Sequence, residues 1–200
     1  MHSGSCRNRV GRMNQESFPT EELRRQRILN AALELFSTEG FHAVPVPRIA
    51  EKAGVGIGSI YRVAPSKIAL ADSVFEYCVE QLRQAVFQPV DFDGLSREEI
   101  FWLFWQRASD WLMRDPEPMR FMVLYRFVGP PNRKSGLRRV GDVEAILGVA
   151  VKQGWIRNMD FDDAAAIISG PLMVLTLDNA LTAENLKACG EAVWRAVCPE

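Results

Sequence analysis

Histidine is almost missing from this chain of 200 residues: only His2 and His42 occur. A histidine-based metal site therefore has no ligand set to draw on. Cysteine is sparse as well. Cys6, Cys78, Cys189 and Cys198 show no CxxC or other ligand spacing, which argues against a thiolate metal site and fits a reducing cytoplasm. No apolar run is long enough to span a bilayer. Arg7, Arg9 and Arg12 lead into no apolar stretch of the kind a signal peptide needs. No nucleophile–base pair or phosphate loop is legible, so nothing supports catalysis or calls for a cofactor. Net charge is only −1, so the chain as a whole gives no hint of nucleic acid.

The distribution of charge says more than its sum. Residues 1–74 hold ten Lys/Arg against seven Asp/Glu, and residues 75–200 hold fourteen against eighteen. A basic front on an acidic remainder suits a phosphate partner at one end. Apolar residues make up 48% of the chain, ordinary for a globular protein with a sizeable core.

Residues 40–70 carry the densest local signals. Pro47 suits a first helical turn, where its missing N–H would be unpaired anyway. Val46, Ile49, Ala50 and Ala53 recur at helical spacing and give one apolar face. Gly54 fits a helix stop. Val55 fills the space before a second short helix from Gly56 to Arg62, in which Ile57, Ile60 and Val63 are available for packing. Gly56, Gly58 and Ser59 are small enough to let a helix approach DNA closely, as a recognition helix must. The pattern reads either as a helix-turn-helix DNA reader or as an ordinary helical hairpin.

Around this core, Ile28-Leu29, Ala31-Ala32, Leu35-Phe36, Gly40-Phe41, Ile49-Ala50, Ala53-Gly54-Val55, Gly58-Ser59-Ile60-Tyr61, Ser66-Lys67 and Leu70 stand in fixed order. This run resembles the tetracycline-repressor (TetR) family of transcriptional regulators over residues 24–75. The resemblance implies an all-α protein: an N-terminal three-helix helix-turn-helix DNA-binding head, and a C-terminal helical bundle that binds a small effector and dimerises. On that reading Tyr61 and Lys67 meet phosphate, Arg48 a backbone phosphate, and Ile57, Ser59 and Arg62 base edges or adjacent phosphate. Gly56 and Gly58 allow the close approach. The partner is a palindromic double-stranded operator.

The chain departs from the family pattern in places. Val44 and Pro45 stand where a Thr followed by Ser or Thr usually caps the second helix, a contribution of about 0.5–2 kcal/mol. Gly56 replaces a hydroxyl residue, and Val63-Ala64 replace an aromatic pair. Fewer side-chain phosphate contacts are expected.

The expected organisation is a flexible tail over residues 1–19, a head over 20–66, and a body over 67–200 entered by a linking helix, 67–88. The tail arginines either reach a minor groove or lie in disordered chain. The first helix should start near Thr20, capped by it, with Leu23, Ile28, Leu29, Ala32, Leu33 and Phe36 as the buried stripe. A helix over 98–113, capped by Ser96 with Glu99 three residues on, is apolar around nearly its whole girth. Residues 129–136 read as a basic loop. Asp162 should cap a helix bent at Pro171, and Thr182 should cap the last one.

The body's aromatic residues read either as a dense core or as a pocket for an apolar or aromatic effector. The candidate lining is Trp102, Trp105, Gln106, Phe121, Met122 and Tyr125, with Asp110 or Arg126 as further orienting groups. The last two helices either form an intersubunit bundle, making a homodimer, or close the monomer. Two other classes stay open: a helical enzyme acting on an apolar substrate, and an adaptor that binds protein through its head.

Overall fold

The computed structural model of the protein describes residues 18–126 and 141–198. It contains nine α-helices and no strand among those residues: α1 Phe18–Glu39, α2 Val46–Ala53, α3 Ile57–Val63, α4 Lys67–Val86, α5 Arg97–Arg114, α6 Glu117–Tyr125, α7 Gly141–Lys152, α8 Phe161–Leu177 and α9 Ala183–Val197. The all-α expectation holds. The basic loop expected at 129–136 and most of the expected tail lie outside the described residues.

Helices α1, α2 and α3 form a compact head. Ile28 and Phe36 of α1, Val44 before α2, Ile49 of α2, Ile60 of α3 and Leu70 and Val74 of α4 are fully buried together. Gly54 ends α2 in the left-handed region (φ 64°), and its N–H reaches the carbonyls of Ala50 and Glu51. A side chain would be strained there, which is why the turn takes glycine. Two expectations for α1 fail. The helix begins at Phe18, so Thr20 lies inside the first turn instead of capping it. Leu23 is 61% exposed, because the early turns of α1 project past the other helices of the head.

Helix α4 leaves the head and enters the body. The Ser66 hydroxyl accepts from the backbone N–H of Ala69 at 3.1 Å and caps its first turn. At the other end Arg107 of α5 donates to the carbonyls of Val86 and Gln88, 3.3 and 3.2 Å away. The far end of α4 is thus tied to α5. Ser96 and Glu99 form the full capping box at the start of α5. Asp160, not Asp162, caps α8: its carboxylate accepts from the N–H of Asp163 at 3.0 Å. Pro171 sits inside α8 and has no N–H to give to residue 167. Thr182 caps α9, as its spacing predicts.

Helix α6 joins the two parts by packing on α1, α4 and α8. Phe121 lies 6.0 Å from Phe36, ring centre to ring centre, and 5.2 Å from Tyr125. The Tyr125 hydroxyl donates to Asp72 of α4 at 2.8 Å. Burial pushes the Tyr125 phenol above its ordinary pKa, so it stays a donor at neutral pH. Helix α9 approaches α5 so closely that a Cβ added to Gly190 would lie 2.6 Å from Trp105 Nε1 and 2.8 Å from Trp102.

Candidate nucleic-acid interface and body cavity

The head's outer surface is built by α3. Gly56 is its N-cap, with no side-chain hydrogen bond, and Ala64 ends it. Ile60 turns inward. Ile57, Gly58, Tyr61 and Arg62 face outward, at the i, i+1, i+4, i+5 positions of one helical face. Ile57 is 45% and Tyr61 51% exposed, high values for large apolar or aromatic groups. Arg62 donates to the half-buried Ser59 hydroxyl at 3.0 Å, which holds the guanidinium along the helix.

Lys67 stands at the first position of α4 beside this face. Its ammonium donates to the His42 carbonyl at 3.3 Å and lies 4.7 Å from the centre of the Phe41 ring. Partial burial lowers its pKa from the ordinary lysine value. Arg48 on α2 pairs with Glu39 of α1, and Lys52 pairs with Glu34 at 2.7 Å. Both pairs are solvent-accessible, so each is worth at most about 1 kcal/mol and gives way readily to a phosphate. Pro45 and Gly56 supply no side-chain cap to α2 or α3. Val44, in place of a capping hydroxyl, is fully buried: it adds to the core what it removes from the surface.

Ser66→Ala should cost about 1 kcal/mol of stability through loss of the α4 cap. The denaturation midpoint in urea measures it. An unchanged midpoint would mean that water replaces the hydroxyl without penalty.

The body contains a partly open cavity of about 170 Å³. Its walls come from α4 (Leu82, Val86), α5 (Phe101, Phe104, Trp105, Trp111), α6 (Met119), α7 (Leu147, Ala150), α8 (Ile168, Leu172) and α9 (Trp194), and Arg97 lies on its border. Of the six candidate pocket residues, Trp105 alone lines this space. Its indole Nε1 donates to the Leu186 carbonyl of α9 at 3.0 Å. Trp102 packs towards Gly190 of α9. Gln106 is exposed and donates to Asp110 at 3.1 Å. Phe121, Met122 and Tyr125 are buried, with Phe121 and Tyr125 in the α1–α4–α6 junction. The sequence marked them correctly as an aromatic cluster, but their partners Phe36, Phe41 and Phe75 are distant in the chain. The wall residues that sequence reasoning missed, such as Phe104, Trp155 and Trp194, carry no local sign distinguishing a wall from packed core.

Residues 28–74 match the family model for bacterial regulatory proteins of the tetR family. Over this segment the chain is similar to the TetR family. Curated relatives agree. The chain is 36% identical over 93 residues to the HTH-type transcriptional repressor KstR of Rhodococcus jostii (strain RHA1), covering 46% of this chain and 42% of that protein. It is 47% identical over 47 residues to KstR of Mycolicibacterium smegmatis, covering 24% and 23%. The chain thus matches less than half the length of these relatives. A TetR family transcription regulator from Marinobacter aquaeolei VT8 superposes with a TM-score of 0.75 at 22% identity, over 92% of this chain and 100% of that one. One from Haemophilus influenzae gives 0.72 at 18% identity, over 92% and 99%. The TetR fold therefore extends through the body, where sequence similarity has faded. No helix among the described residues is long and apolar enough to cross a membrane.

Proposed function

We propose that the protein is a cytoplasmic, ligand-responsive transcriptional repressor that binds a palindromic operator as a homodimer and is released by a small apolar or aromatic effector. The observation that carries this reading is the outward face of α3, where Tyr61 and Arg62 stand exposed beside Lys67 at the start of α4. Tyr61 and Lys67 take phosphate oxygens, Arg48 exchanges Glu39 for a phosphate, and Gly56, Ile57, Gly58, Ser59 and Arg62 lie against the bases or the adjoining backbone. The head is the segment from the start of α1 to residue 66, and the effector and dimerisation body is 67–200.

The cavity supports the effector half of the reading. An engineered apolar cavity of about 150 Å³ takes up benzene, so a single ring fits the space as it stands. A larger molecule must push its walls apart. Leu82 and Val86 of α4 are among those walls, and the same helix holds Lys67 at its other end. Twenty helical residues span about 30 Å, so a small tilt at the cavity moves the head by a comparable or larger amount. Two recognition helices must sit about 34–36 Å apart to enter successive major grooves, so a shift in their spacing costs affinity. The effector acts by favouring the arrangement that DNA cannot bind.

The dimer half rests on α8 and α9. Ile167, Val174 and Leu177 of α8 are exposed, and Val174 is 56% accessible. Ala188, Ala192 and Ala196 form an exposed small-residue stripe on α9 at four-residue spacing. These faces meet their counterparts in a second copy to make a four-helix bundle. Val174→Asp should therefore yield monomers in sedimentation equilibrium. A dimer of unchanged strength would remove α8 from the interface.

The test of the whole reading is fluorescence anisotropy with labelled DNA from upstream of the protein's own gene and from a selected random library, with competitor DNA. Operator binding should survive competitor and fall by about a thousandfold between 50 and 200 mM salt for about six phosphate contacts. Binding no better than to random DNA, and insensitive to salt, would instead favour a protein-binding adaptor.

A further inference from the structure

Ile57 is an anomaly on the outer face of α3. It is a branched, wholly apolar side chain, 45% exposed, and it is flanked by Gly56 and Gly58. Neither glycine is required by the backbone: Gly56 has φ −70°, and no left-handed φ occurs at Gly58. Neither is required by packing within the chain, because a Cβ built at either position meets nothing within 4 Å. Glycine inside a helix is destabilising relative to alanine. Gly58 lies inside α3, so its bare surface comes at the expense of local stability, whereas Gly56 is the N-cap, a position glycine suits; the room both leave lies outside the monomer.

We propose that Ile57 reads the 5-methyl group of a thymine in the operator's major groove, with Gly56 and Gly58 admitting the base-pair edges on either side. This rests on the operator-binding reading above and deepens it. Ile57 has no donor or acceptor, so the base feature it recognises must be apolar. The major groove offers one such feature, the thymine methyl. A β-branched side chain has few rotamers to lose when it docks, so little entropy opposes the contact. Arg62 and Lys67 nearby supply the positive charge that draws the duplex onto this face. Tyr61 and Arg62 end in polar groups suited to phosphate or a base edge, which leaves Ile57 as the apolar reader.

The experiment uses the full chain and the tightest duplex selected from a randomised library, with uracil substituted for each thymine in turn. One thymine per half-site should lose about fourfold in affinity on becoming uracil, the factor matching ~0.8 kcal/mol for one buried CH₂-sized group. In Ile57→Ala that same substitution should cost nothing. Gly58→Ala should be at least as stable as the wild type and bind more weakly. A merely structural glycine would show the reverse. The proposal is overturned if no thymine is sensitive, if the uracil penalty persists unchanged in Ile57→Ala, or if Gly58→Ala binds as tightly as the wild type. If selection yields no duplex preferred over random DNA, the operator reading falls and this proposal falls with it. A selected duplex whose thymines are all insensitive removes the methyl contact alone.

Discussion

Tyr61→Ala combined with Lys67→Ala should abolish operator binding while leaving the fold in place. Tyr61 is half exposed, and its side chain takes no part in the core. Lys67 gives up one hydrogen bond to the His42 carbonyl and a contact with the Phe41 ring, both at the surface. Stability should therefore change little. Hydrogen bonds to charged groups contribute about 1.5–3 kcal/mol each, and a dimer would carry each residue twice. A loss of at least about a hundredfold follows, even if only half of that is realised. The measurement is anisotropy at fixed salt, with circular dichroism to verify the helices. The salt dependence should flatten as well, since a removed lysine releases fewer counterions. Undiminished affinity in a folded double variant would take the interface off this face of the head.

Gly190→Ala should destabilise the protein, although alanine is the better helix former. The new methyl would lie 2.6 Å from Trp105 Nε1 and 2.8 Å from Trp102. Trp105 is buried and cannot swing into solvent. It must move towards the cavity it lines or force α9 away from α5. Either movement stretches the 3.0 Å bond from its indole to the Leu186 carbonyl. Overpacking of this kind costs about 1–3 kcal/mol. Stranding the buried indole N–H adds about 1–3 kcal/mol, and the gain in helix propensity offsets about 1 kcal/mol. A net loss of about 2 kcal/mol lowers the melting temperature of a chain this size by roughly 4–8 °C. Tryptophan fluorescence should shift in the native state, because the indole itself is displaced. An unchanged melting temperature would show that α9 recedes from α5 without cost. The same variant probes the effector reading: a displaced Trp105 narrows the cavity and should weaken any ring compound that binds there.

Much of the head was legible because its signals are local. Gly54 as a left-handed stop, Pro47 in the first turn of α2, Gly56 before α3 and Lys67 at the start of α4 each state their role within a few residues. The capping pairs Ser96–Glu99 and Thr182 at the start of α9 did the same for the body. Local signals also misled where two readings were nearly equal. Thr20 and Asp162 are good capping residues, but α1 begins at Phe18 and α8 is capped by Asp160, two residues earlier in each case.

The cavity was another matter. Phe121, Tyr125 and Trp105 look alike in the sequence: large aromatic residues in strongly apolar helical segments. Trp105 lines the cavity, while Phe121 and Tyr125 pack on Phe36 and Phe41 of the head and on Phe75 and Asp72 of α4. What distinguishes them is the direction from which another helix arrives, and contacts far apart in the chain set that direction. The sequence by itself determined the helices, the turn and the polar face of the head, because caps, periodicity and glycine conformation act over one or two turns. Tertiary structure alone decided which aromatic residues enclose space and which fill it, because burial depends on the shape of the facing surface.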